Sequence, residues 1–476
     1  MSAAVRIRGV GVRYPGSGED ALRDVDLDIE AGQVVLVTGR SGCGKSTLTG
    51  LVNGLVPHLH EATITGTVEI DGLQPREHEL YEMGRFVSTV FQNPRTQFFC
   101  ADSTAELAFA GENAGLAPEA IRAQIAVAAE LLGTVPLLDR AMATLSGGQK
   151  QQVAVTAAVV NNPRLYVFDE PTSNLDVGGI AAVRDLLVRL RAEGASVLIT
   201  EHRLGFLRGL VDRVLVLDRG RTVLDLPGAE FFCLDDEVRV ALGLRTLDEP
   251  VWPPRPWADA ESVVETDAVG LEVSGLVHRH RRSEQPVLAL ERLHLSRGRV
   301  NVLVGENGAG KSTLVRLLSG LTRRRTGEIR LDGRILNHRA LLRRSHVVLQ
   351  DVNRQLFSAS VAGEVQLAHG LVEPHQVLEQ LGLGAYVERH PMSLSGGQRQ
   401  RLAVATAVAA DKDLMFFDEP TSGLDHEAML ATAGLLRQLA DQGRVVVVVT
   451  HDIELAEQCS DAIVQLPARG GSTALE

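Results

Sequence analysis

Short apolar runs closed by glycine or by acidic residues set the hydrophobic pattern of the chain. QVVLVTG (33–39) is an apolar run ending in glycine, as expected of a buried strand that runs into a loop. STLTGLVNGL (46–55), directly after that loop, carries helical periodicity. RLYVFDE (164–170) and ASVLIT (195–200) predict further buried strands, and the run from Val445 to Val449 predicts another late in the chain. Strand–loop–helix repetition predicts an α/β fold with a mostly parallel core sheet. Ligands of such folds bind beyond the carboxyl ends of the strands. No run reaches the roughly 18 apolar residues needed to cross a bilayer. The opening MSAAVRIRGV has no apolar stretch of the kind that marks a secretory signal.

The pattern occurs twice. GRSGCGKST (39–47) returns 266 residues later as GENGAGKST (305–313). LSGGQ (145–149) returns at 394–398, and FDEPTSNLD (168–176) returns as FDEPTSGLD (417–425), both 249 residues on. A period above 200 residues means two complete domains rather than a solenoid. We expect domains at 1–230 and 266–476, joined by a linker at 231–265. The stretch DEPVWPPRPWADAES (248–262) carries four prolines and two tryptophans, which forbid a continued helix or a central strand. Clustered proline favours a semi-rigid spacer, with docking through Trp252 and Trp257 as the alternative.

Composition narrows the function classes. With 476 residues, 45% of them hydrophobic and 23% charged, the chain is ordinary for a globular protein. Its net charge of −12 repels nucleic acid, and only 4% of residues are aromatic, which disfavours a base-stacking surface. Cys43, Cys100, Cys233 and Cys459 are far apart, which argues against a zinc site or a disulfide framework.

The repeated strings carry phosphate chemistry. Both copies of the first fit G-x-x-x-x-G-K-[ST], each after a predicted strand and before a predicted helix. One loop runs Gly39, Arg40, Ser41, Gly42, Cys43, Gly44, Lys45, Ser46, Thr47; the other runs Gly305, Glu306, Asn307, Gly308, Ala309, Gly310, Lys311, Ser312, Thr313. Glycines let backbone N–H groups turn inward to cradle phosphates, and the helix N-terminus adds its dipole. Lys45 and Lys311 would reach the β- and γ-phosphates. Ser46 and Ser312 would bind Mg²⁺, and Thr47 and Thr313 would lie near the α-phosphate. Asp169 and Asp418, ending apolar strands, would hold the same Mg²⁺ through water. Glu170 and Glu419, one residue further, would sit where a water can attack the γ-phosphate. Cys43 is read as a small residue tolerated in the loop, as Ala309 is in the other, with redox control as the alternative.

With LSGGQ followed by Lys150 or Arg399, the chain resembles the ATP-binding cassette (ABC) ATPases over nearly its whole length and in both halves. The resemblance implies two tandem P-loop domains, each a mostly parallel sheet with a helical signature subdomain and an antiparallel β subdomain. It implies that the signatures Ser146, Gly147, Gly148, Gln149 and Ser395, Gly396, Gly397, Gln398 contact a nucleotide held by the opposite half. Gln92 and Gln350 look like the glutamines that link Mg²⁺ and water to a transmembrane partner. Asp176 and Asp425 look like D-loop aspartates, and His202 and His451 like switch histidines contacting the γ-phosphate. Tyr14 fits the aromatic that stacks on adenine, whereas the equivalent position holds His280.

NGLVPH (53–58), FQNPRTQFF (91–99), TEHRL (200–204) and LQDVNRQLFSASVAGEV (349–365) resemble energy-coupling factor (ECF) transporters for vitamins and metals. That resemblance implies a peripheral ATPase on the cytoplasmic face of the membrane. Its partners would be a transmembrane coupling protein and a small substrate-capturing membrane protein. Phe98, Phe99, Leu356 and Phe357 are candidates for the groove that receives the coupling protein, with burial in the core as the alternative. A soluble twin-cassette (ABC-F type) translation factor and a fused sugar-importer ATPase remain alternatives. The former carries a long, charged helical linker, which this chain lacks.

Overall fold

The computed structural model describes residues 3–92, 97–145, 147–173, 175–252, 258–259, 269–279, 286–305, 308–323, 326–368 and 374–466. The chain divides into two compact units, Met1–Glu249 and Pro250–Glu476.

In the first unit a six-stranded sheet runs Val87–Val90, Leu165–Asp169, Ser196–Thr200, Val34–Gly39, Arg213–Asp218, Arg221–Pro227. All neighbours pair in parallel except the last two strands, which form an antiparallel hairpin. The continuous apolar runs follow from burial on both faces. Val34 and Leu36 enter one core and Val35 and Val37 the opposite one, the period of two that a strand imposes. Full burial of each such Val or Leu contributes about 1.5–3 kcal/mol. A three-stranded antiparallel sheet (Leu22–Glu30, Ala3–Arg13, Thr63–Ile70) covers one side. Helices Ser103–Asn113, Pro118–Leu131 and Gly147–Val160 form a separate apolar cluster around Leu107, Ile121, Ile125 and Val153.

The second unit repeats this plan. Its sheet runs Ser345–Val348, Leu414–Asp418, Val445–Val449, Arg299–Val304, Ala462–Gln465, Ala258–Asp259, with every pair parallel. A four-stranded antiparallel sheet and the helices Val361–Leu367, Pro374–Gln380 and Gly396–Ala409 complete it. The mixed α/β architecture of each unit, with a largely parallel core sheet, agrees with the fold expected from the sequence.

The linker differs from the expectation at both ends. Residues after 230 do not leave the first unit: Gly228–Phe231 and Asp236–Ala241 are helices, and Phe231, Phe232, Leu244 and Leu247 are buried in its core. Apolar side chains at these positions outweigh the pull of the prolines further on. Past the boundary, Trp252 packs against the core of the second unit, and Ala258–Asp259 pairs with Val464 and Gln465 as an edge strand. Trp257 lies outside the described residues.

Candidate nucleotide site in each half

The phosphate loop links Val34–Gly39 to the helix Lys45–Val52, and its backbone admits only glycine at key points. Gly39 has φ +137°, and a Cβ there would meet the Leu217 carbonyl oxygen at 2.0 Å. Gly44, at φ +111°, precedes the helix in the left-handed region. The Lys45 ammonium, 5% exposed, donates to the carbonyls of Gly39 at 3.1 Å and Arg40 at 3.2 Å. Lys311 donates to Gly305 O at 2.6 Å, the counterpart of the Lys45 contact with Gly39. Glu306, Asn307 and Ser146 lie outside the described residues, as does His280. Cys43 is buried, and burial pushes its thiol up, which favours the reading of a small packed residue over a reactive one.

The strand Leu165–Asp169 delivers the acid pair to the same end of the sheet. Asp169 hydrogen-bonds the Ser46 hydroxyl and accepts from Thr200 Oγ1 at 2.6 Å. Burial, with the Glu170 charge beside it, pushes Asp169 up to about 6. In the second half burial likewise raises Asp418, which hydrogen-bonds Ser312. Each half therefore pairs a serine hydroxyl with a buried carboxylate. This oxygen-only set suits Mg²⁺, which binds through one or two carboxylates together with substrate phosphates. Among the described residues there is no cluster of three or more His, Cys, Asp or Glu able to hold a metal alone.

Glu170 and Glu419 adopt left-handed backbones, φ +48° and +53°, which non-glycine residues occupy rarely and often at functional sites. Gln92 Nε2 donates to Glu170 Oε2 at 2.6 Å, and His202 Nε2 lies 3.4 Å from Oε1. Burial works against ionisation of Glu170, but the neighbouring His202, Lys45 and Gln92 hold its carboxyl below the usual range. In the second half Glu419 accepts from the Thr450 hydroxyl at 3.1 Å and from the His451 N–H at 3.3 Å, with the His451 ring at 4.0 Å. Gln350 follows the strand Ser345–Val348 by two residues.

The remaining motif residues fall at helix starts. Ser395 caps Gly396–Ala409: its side chain accepts from Gln398 N, and Gln398 Oε1 accepts from Ser395 N. Asp176 and Asp425 cap the helices Val177–Ala192 and His426–Asp441. Tyr14 packs against the core beside the loop, its hydroxyl 3.1 Å from Thr47 Oγ1.

Two residues that the motif reading passed over tie the loops after the acid pairs to the segments that carry His202 and His451. Glu201, 2% exposed, accepts from Thr172 N at 2.9 Å, from the Thr172 hydroxyl, and from the N–H groups of His202 (2.8 Å) and Arg203 (3.1 Å). It ties the loop after the acid pair to the loop bearing His202. In the second half Asp452 accepts from Thr421 Oγ1 at 2.6 Å and caps Ile453–Cys459. The carboxylate precedes the histidine in TEHRL and follows it in THDIE, so neither string alone reveals the shared task. Glu201→Ala should orphan three N–H groups and a hydroxyl, each worth about 1–3 kcal/mol when buried and unpaired. We expect a loss of at least about 2 kcal/mol in thermal or urea unfolding, with Glu201→Gln recovering part of it. A melting curve unchanged by Glu201→Ala would contradict the clamp.

The ABC transporter family profile matches residues 22–173 and 291–422. A putative ABC transporter ATP-binding protein of Treponema denticola is 38% identical over 97% of this chain and 95% of its own. One of Methanosarcina acetivorans is 35% identical over 97% of this chain and 84% of its own. Among solved structures, the archaeal ribosome recycling factor aABCE1, in complex with ribosomal stalk protein aP1, has 24% identity and TM-score 0.63. It covers 97% of this chain and 88% of that one, a likeness of fold. The family match spans more than half of the chain and recurs in both units, so the chain belongs to the ABC transporter family, as an ATPase with two ATP-binding cassettes fused in tandem.

Proposed function

We propose that this ATPase is the energy-coupling subunit of a membrane importer of the ECF type, serving a vitamin or metal micronutrient. It acts at the cytoplasmic face, with a transmembrane coupling protein and a substrate-capturing membrane protein as partners. In this reading each ATP lies between the phosphate loop of one half and the signature of the other, in a head-to-tail pseudo-dimer. Lys45 and Lys311 bind the β- and γ-phosphates. Ser46 with Asp169, and Ser312 with Asp418, hold Mg²⁺, aided by Gln92 and Gln350. When bound, the ion supplies charge neutralisation at the phosphates. Glu170 and Glu419 take up the proton of the attacking water, and His202 and His451 meet the γ-phosphate. ATP draws the halves together, hydrolysis lets them part, and a membrane partner reads that cycle.

One observation carries the importer reading. Phe99 and Phe357 stand at equivalent places after Gln92 and Gln350, and they are 74% and 79% exposed. Their backbones are pinned alike, each N–H donating at 2.9 Å to a buried glutamate, Glu106 or Glu364. Phe99 stacks on Phe109 with centroids 5.1 Å apart. A large exposed aromatic on a fixed backbone is a ready anchor for a partner helix. The neighbours Phe98 and Leu356, grouped with them from sequence, pack into the cores instead. No described helix is long and apolar enough to cross a membrane. Phe99→Ser with Phe357→Ser should release the protein from membranes in flotation while basal ATPase and melting temperature stay near wild type. Stable variants that still float with membranes would reject the proposal.

A further inference from the structure

The helices that begin with the two signatures place one glutamine each deep in the protein, Gln151 in the first half and Gln400 in the second, 2% and 4% exposed. Gln400 Nε2 donates at 3.2 Å to the backbone carbonyl of Glu419, which also accepts from Ser422 N at 3.4 Å. This bond ties the signature helix to the left-handed peptide of the residue assigned to hydrolysis. The first half has the same carbonyl, Glu170 O, accepting from Ser173 N at 3.3 Å. Here, however, both the amide nitrogen and the amide oxygen of Gln151 are buried and unpartnered. Buried side-chain amides are nearly always hydrogen-bonded, and Gln151 has no protein partner where its counterpart Gln400 has one. Gln151 borders a cavity of about 30 Å³, walled by Thr134, Gln152, Val155, Leu175 and Val183, which leaves its amide room to turn.

We propose that Gln151 and Gln400 are positioning residues: each amide is a latch from the signature helix to the backbone of the hydrolytic glutamate, shut in the second half and open in the first. A left-handed glutamate persists only where its surroundings hold it; Glu170 is held so with its latch open, and a second donor on the carbonyl adds to that hold. The shut latch keeps the carboxylate aimed at the position of the attacking water. When the signature helix shifts onto nucleotide, Gln151 turns out of its cavity and closes on Glu170 O, which couples signature engagement to hydrolysis. The inference rests on Glu170 and Glu419 as the hydrolytic residues.

Methionine matches glutamine in length and lacks the donor, so Gln151→Met with Gln400→Met opens both latches with little change in packing. The full-length double variant should lose about tenfold in kcat for ATP, the worth of one hydrogen bond made in the transition state. KM should stay within twofold, and the melting temperature of Gln151→Met alone should not fall, since that change removes an unpaired buried amide. Hydrogen exchange gives a second reading. Gln400→Met should speed exchange in segment 417–424. Added ATP should slow exchange in segment 168–175 of the wild-type chain but not of Gln151→Met. A kcat within twofold of wild type, a fall in kcat matched by a rise in KM, a lower melting temperature for Gln151→Met alone, or unchanged exchange would overturn the latch. Glu170→Gln with Glu419→Gln serves as the control: if that variant keeps its rate, the assignment of the glutamates fails, not the latch alone.

Discussion

A chain carrying Glu170→Gln together with Glu419→Gln is expected to bind ATP and to hydrolyse it at least ~10²-fold more slowly, the low end for removal of a general base. The geometry behind this is clearest in the first half. Glu170 Oε2 accepts from Gln92 at 2.6 Å, and Oε1 faces His202 at 3.4 Å. These neighbours hold the carboxyl below its usual range in spite of its burial. An ionised carboxylate at a strand end, next to the carboxylate that bonds Ser46, can accept a proton from water; the isosteric amide cannot. Glutamine keeps the shape and most contacts, so nucleotide affinity should hold. Phosphate release is to be measured beside a nucleotide titration. Release near the wild-type rate would remove Glu170 and Glu419 from the reaction.

Lys45→Ala combined with Ser395→Ala should cost far less than the sum of the two single losses, because in the proposed arrangement both changes fall on one ATP. Lys45→Ala combined with Ser146→Ala strikes both sites and should be the more damaging pair. A hydrogen bond to a charged group is worth about 1.5–3 kcal/mol, so each lysine loss alone should weaken its site by about 10- to 10²-fold. Members of one constellation are non-additive, whereas changes at separate sites combine. Steady-state ATPase of the three single and two double variants decides the matter. The opposite ranking of the double variants would mean that each half completes its own site.

Much of this molecule can be read without coordinates, for a physical reason. Strands such as Val34–Gly39 and Val445–Val449 are buried on both faces, so they appear as unbroken apolar runs. The phosphate loops announce themselves because a Cβ at Gly39 has nowhere to go. What escaped was whatever depends on which way a neighbour points. Phe98 and Phe99 are chemically identical and adjacent, yet one packs inward and the other stands in solvent. Glu201 and Asp452 serve parallel purposes from opposite sides of a histidine, which defeats alignment by motif. The end of the first unit was misplaced because Gly228–Phe231 and Asp236–Ala241, four and six residues long, are too short to display a period.

The edge strand Ala258–Asp259 and the packed Trp252 bind the start of the second unit's chain to its own sheet and core. The halves are consequently joined by a tether much shorter than the 35 residues its composition suggested. Short tethers hold linked modules at effective concentrations in the millimolar range, far above any cellular amount of free protein. In the proposed pseudo-dimer, meeting of the two cassettes would be a unimolecular event whose rate per chain is independent of dilution. Stoichiometry is fixed at one to one by the ribosome that makes the chain.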